Sequence, residues 1–89
     1  MIPTIKFNGR KYKLILTEHA IERMERREIG LSTLVETIEK GHPNPKAQLN
    51  KYWVFKDFSG RNDNLICASI SLEENLLVVI TTLVNWRPK

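Results

Sequence analysis

The sequence predicts a small α+β domain in the order ββααβββ: an antiparallel sheet with two helices packed on one face. Three observations carry this reading. Asn8-Gly9 separates two short alternating segments. Apolar residues recur at helical spacing between residues 18 and 41. Strand-like runs then return from residue 52 to residue 84. Grouping strands and helices in this way, rather than alternating them, separates α+β from doubly wound architectures.

Each element has a local cause. Both central positions of a type I′ turn need positive φ, which Asn and Gly tolerate, so strands are expected at residues 4–7 and 11–16. Thr17 reads as a helix N-cap, with Glu18 in the first turn where the helix dipole favours negative charge. That helix is expected to run to about Glu28 and stop at Gly30 as its C′ residue. A second helix is expected from Ser32 as N-cap to Gly41, with Leu34, Val35 and Ile38 as its apolar stripe. His42-Pro43-Asn44-Pro45 cannot continue a helix and reads as a loop. Residues 52–57 form a strand, and Ser59-Gly60-Arg61-Asn62-Asp63-Asn64 is turn chemistry. Residues 65–72 alternate, with Ile66, Ala68, Ile70 and Leu72 facing a core and Cys67, Ser69 and Ser71 on a polar face. Residues 76–84 are apolar on both faces, as in a central strand.

With 89 residues and 10.4 kDa, the chain supports one domain, residues 1–89. The single cysteine, Cys67, leaves neither a disulfide framework nor a cysteine cluster for zinc. No apolar run reaches the roughly 18–20 residues of a membrane helix, and the N-terminal residues do not read as a signal peptide. A cytoplasmic protein with Cys67 reduced is expected. The net charge is +4 and the pI about 9.5, which favours an anionic partner. Residues 1–30 hold seven of the cations against four glutamates, so most of the excess lies there.

The chemistry-bearing segment is Thr17-Glu18-His19-Ala20-Ile21-Glu22-Arg23-Met24-Glu25-Arg26-Arg27. His19, Arg23 and Arg27 stand at i, i+4 and i+8, which stacks them on one helix face. Ala20, Ile21 and Met24 are expected to face a core, and Glu22 to pair with Arg26 on a flank. An imidazole moves protons near neutral pH, and guanidinium groups hold phosphate oxygens. Metal-independent RNA cleavage uses both: a base for the ribose 2′-OH, an acid for the 5′ leaving oxygen, and fixed positive charge for the transition state. No cofactor is expected. The same three residues also fit an ordinary solvated helix face.

His19-Ala20, Glu22-Arg23-Met24, Arg27 with Ile29, and Gly41 together resemble a family of small bacterial domains of unknown function. Val78-Val79-Ile80-Thr81-Thr82 is similar to the Thr-bearing apolar strand that closes that family. The family resembles the RelE-like toxins of the barnase–EndoU–colicin–RelE group of ribonuclease folds. The resemblance implies a ribonuclease toxin that acts on RNA and is held inactive by an antitoxin protein. Glu28-Ile29 departs from the Gly-Ile that the family favours after the second Arg.

Further candidate site residues lie outside this helix. Thr81 and Thr82 must face opposite sides of their strand, and a hydroxyl there can bond a scissile phosphate. Lys56 and Arg61 flank a turn and are candidate phosphate contacts, and Arg87 joins them in the tail. Trp53 and Trp86 are candidates for stacking on unpaired bases, with core packing the alternative for Trp53. His42 reads as a turn residue. Two histidines without a carboxylate or cysteine cluster make no metal site, and Cys67 lacks a spaced His that would activate it. Three functions follow: a metal-independent endoribonuclease of a toxin–antitoxin pair, a non-catalytic nucleic-acid-binding module, and a protein-interaction domain.

Overall fold

A computed structural model describes residues 3–58 and 65–84. Its elements are β1 (Thr4–Phe7), β2 (Arg10–Leu16), α1 (Glu18–Arg26), α2 (Leu31–Lys40), β3 (His42–Pro45), β4 (Lys51–Asp57), β5 (Leu65–Glu73) and β6 (Leu76–Val84). The strands form one six-stranded sheet in the order β1-β2-β6-β5-β4-β3, curled into a half-barrel.

This corrects the expected clean antiparallel sheet in two ways. β2 pairs with β6 in parallel, Leu14 opposite Leu77 and Leu16 opposite Val79, so the sheet is mixed. The segment read as a loop, His42-Pro43-Asn44-Pro45, is an edge strand against β4. Two prolines are admissible there because an edge strand leaves half of its N–H positions outside the ladder.

The hairpin turn forms as expected, with Asn8 at φ 50° and Gly9 at φ 80°. Thr17 caps α1 as expected: its Oγ1 accepts the Ala20 N–H at 3.0 Å. The same hydroxyl donates to the Ile80 carbonyl at 3.0 Å, and the Thr17 N–H reaches the Val79 carbonyl at 3.2 Å. One residue thus ends the parallel pairing and starts the helix. The end of α1 is shorter than expected. Arg27 is the C-cap, Glu28 takes the left-handed conformation at φ 54°, and the Ile29 N–H returns to the Met24 carbonyl at 2.9 Å. Gly30, expected to stop α1, is instead the N-cap of α2, and Ser32 lies within that helix. The left-handed position favours Gly, and it is the position where this sequence carries Glu28.

The core joins inward residues of both helices and most strands. Ala20, Met24, Leu34 and Ile38 pack with Ile5, Phe7, Tyr12, Leu14, Val54, Ile66, Ala68, Ile70, Leu77 and Val79. Ile21, expected in the core, is 42% exposed. β5 also departs from expectation: Cys67, Ser69 and Ser71 are as buried as the apolar residues between them.

Gly41 ends α2 against the backbone of β4 at Phe55. A Cβ there would meet the Thr37 carbonyl oxygen and lie 2.6 Å from the Phe55 carbonyl oxygen, both of them backbone. Gly41→Ala should therefore destabilise the fold by about 2–3 kcal/mol, the cost of forcing packed elements apart, read as a lower urea midpoint with unchanged slope.

Candidate functional site

α1 lies on β6 and shows its outer face to solvent. His19 in the first turn is exposed, Arg23 one turn later is half-buried, and Arg27 at the C-cap is exposed. Helical spacing places them in line, as the sequence reading expected. Glu22 and Arg26 pair at 2.9 Å on the flank, also as expected. Among the described residues, neither His19 nor Arg23 has a hydrogen bond or ion pair through its side chain, whereas Arg27 has an interaction of its own. The stripe therefore offers an imidazole and a guanidinium that no carboxylate quenches.

The remaining candidates do not gather around this stripe. β5 pairs with β6 through Ala68–Thr82 and Ser69–Thr81, with a register shift between Ser69 and Ile70. Thr82 consequently faces the helix-covered core, fully buried, and its Oγ1 has no hydrogen-bond partner among the described residues. Thr81 points to the opposite face of the sheet. Lys56 is engaged elsewhere: its Nζ lies 3.1 Å from Glu36 of α2 and 4.4 Å from the Phe58 ring centroid. Arg61, Trp86 and Arg87 lie outside the described residues. His42 begins β3, with its ring tilted against Phe55 at 5.6 Å.

Trp53 does not take the core-packing role that was one of the two expected for it. It is half-buried on the helix-free face of the sheet and takes no part in the core cluster. Lys46 Nζ lies 4.4 Å from its ring centroid and donates to Ser69 Oγ. Burial, and then the like charge of Lys51, lower the Lys46 ammonium from its ordinary pKa, with Cys67 acting weakly the other way. Sequence reasoning missed Lys46 because it sits in an irregular segment. Its N–H bonds to the Lys51 carbonyl one step past the Pro45–Tyr52 pair, which sets it beside Trp53 and Ser69.

Beside the C-terminal half of α1 is an apolar cleft of about 480 Å³, lined by Leu16, Ile21, Met24, Ile29 and Leu31 and rimmed by Glu25 and Glu28. The exposed Ile21 belongs to this cleft. No helix among the described residues is long and apolar enough to cross a membrane. No group of three or more His, Cys, Asp or Glu is placed to hold a metal among those residues.

Residues 16–84 match the family described as Domain of unknown function (DUF4258). The chain belongs to this family. The match begins at the last residue of β2 and covers α1, both candidate threonines and Lys46, so this DUF4258 domain takes in the whole crossover from β2 to β6. No curated protein and no solved structure matches the chain.

Two measurements check this geometry. Thr82→Val removes a buried hydroxyl that lacks a partner while keeping its shape. It should leave the fold unchanged or stabilise it by about 1 kcal/mol, seen as an unchanged or higher melting temperature. Burial raises the Cys67 thiol to about 12, so at pH 8 it stays protonated in the native state. A thiol reagent should label it only after denaturation; labelling of native protein at the denatured rate would contradict the burial.

Proposed function

We propose that this DUF4258 domain is a metal-independent endoribonuclease and the toxin of a toxin–antitoxin pair. The observation that carries the reading is the pairing pattern on α1. Glu22 is spent on Arg26, while His19 and Arg23 stand in line without side-chain partners among the described residues. An unquenched imidazole can accept the ribose 2′-OH proton as that oxygen attacks phosphorus, or deliver a proton to the departing 5′ oxygen. The P–O5′ bond breaks, leaving a cyclic phosphate and a 5′-hydroxyl. Arg23 and Arg27 would hold the phosphate oxygens as negative charge builds. This chemistry needs no cofactor.

His19, Glu22-Arg23-Met24 and Arg27 resemble the signature of a family of small domains, and the likeness of that family to RelE-like toxins supports the reading by analogy. The partners are then RNA and an antitoxin protein, and the site of action is the cytoplasm. A second reading, a non-catalytic nucleic-acid-binding module, is favoured by the placement of the threonines. Thr82 is buried and Thr81 lies across the sheet, so neither hydroxyl joins the stripe.

Induced expression in a bacterium separates the two. Wild type should arrest growth with RNA decay, and His19→Ala and Arg23→Ala should relieve both. Equal tolerance of all three, with each protein soluble and folded, would overturn the ribonuclease. RNA binding that survives His19→Ala without any cleavage by wild type would establish the second reading.

A further inference from the structure

The positive charge of this chain is not on its first helix. In residues 1–30 all four glutamates fall between 18 and 28, where they outnumber the three arginines of that stretch. The excess comes from Lys6, Arg10, Lys11 and Lys13 on the hairpin. Register sets Lys6 opposite Lys11 and Lys13 opposite Thr4, on the face turned away from the helices. Helical spacing then sorts the charges of α1 into two flanks. His19, Arg23 and Arg27 form one. Ile21 stands about 200° around the helix from His19, on the flank that carries Glu18 at i−3 and Glu25 at i+4 from it.

This second flank borders the apolar cleft of about 480 Å³. Two residues of its lining, Met24 and Ile29, are buried, and two others, Ile21 and Leu31, are 42% and 47% exposed. Only one other large apolar side chain among the described residues, Leu49, is exposed, so such exposure is gathered at this cleft. Both charged residues of the lining are glutamates, and no cation joins them. Glu28 has an interaction of its own. The carboxylates that the cleft can offer are therefore Glu25 and, one turn before Ile21, Glu18. Both are exposed, and neither forms an ion pair or side-chain hydrogen bond among the described residues.

Exposed apolar side chains gathered at one concavity mark a recognition surface. The flanking charge selects among occupants. A second copy joined by the same patch would bring Glu18 and Glu25 against their own equivalents, like charge against like. An acidic segment is disfavoured on the same ground. Apolar side chains flanked by Lys or Arg are complementary. An amphipathic helix presents them at i, i+3 and i+4, the spacing at which α1 presents Glu18, Ile21 and Glu25. We infer that the cleft docks an amphipathic helix of a partner protein, its apolar side chains between Ile21 and Leu31 and its lysines or arginines on Glu18 and Glu25. The site lies on the flank of α1 opposite His19. It is therefore independent of the ribonuclease reading, and it adds a partner surface that leaves the stripe uncovered.

The test is fluorescence anisotropy of two short labelled helical peptides with leucine along one face. One carries lysine at the flanking positions and the other glutamate. The full chain should bind the lysine peptide about tenfold more tightly, with a preference that shrinks as salt rises. Ile21→Ser should weaken binding of the lysine peptide about tenfold. Glu18→Lys combined with Glu25→Lys should transfer the preference to the glutamate peptide, a change that an unfolded variant cannot show. Circular dichroism should show every variant folded. His19→Ala and Arg23→Ala should bind like wild type whether or not wild type cleaves RNA, which keeps failure of the ribonuclease separate from failure of this site. No binding of the lysine peptide by wild type, equal binding of both peptides, or a preference that survives the double reversal would overturn the inference. Self-association that Ile21→Ser abolishes would assign the cleft to a second copy. Binding that appears only after removal of residues 85–89 would assign it to the chain's own end. Either result would overturn the partner assignment.

Discussion

The pairing of β2 with β6 is the constraint on which the rest of the molecule hangs. Parallel neighbours cannot be joined by a tight turn. Everything between Leu16 and Leu76, both helices and three strands, is therefore the crossover that this pairing demands. Thr17 is where the constraint becomes local chemistry. Its backbone N–H closes the ladder on Val79, its hydroxyl reaches Ile80, and the same oxygen caps α1. The direction of α1, and hence the solvent face on which His19 stands, follows from that one residue.

The crossover also divides the sheet into unlike faces. The helices cover one with Ala20, Met24, Leu34 and Ile38. On the other, Lys46 lies over the Trp53 ring and donates to Ser69. β5 is buried on both sides although its sequence alternates apolar and polar residues. Ser69 is small enough to pack beneath the lysine that bonds its hydroxyl. A lysine can cover such surface with its methylenes while its charge stays near the exterior.

How much of this was legible in the sequence depends on the range of the physics. The Asn8-Gly9 turn, the Thr17 cap and the Glu22–Arg26 pair are set within a few residues, and each forms as its local chemistry requires. The Glu28 terminus was less legible, because a left-handed residue that is not Gly leaves no local signature. β3 was unreadable for a different reason: two prolines argue against a strand unless its outer side is known to be unpaired. The parallel β2–β6 pairing is a product of register between distant segments. For the α1 stripe, spacing was sufficient. For the surface charge, composition located the lysines along the chain, but only strand pairing shows that they face away from the helices.

The prolines of β3 reach beyond the strand itself. The Lys46 N–H bonds inward to the Lys51 carbonyl, so alternation turns the Pro43 and Pro45 nitrogens outward, where they have no hydrogen to donate. At the other margin, the Lys6 N–H of β1 is already taken by the Glu39 carboxylate at 3.0 Å. Both borders of the half-barrel are therefore poor templates for another chain's backbone. Extension of the sheet by another strand is disfavoured at both borders, which leaves side-chain surface as the easier ground for recognition.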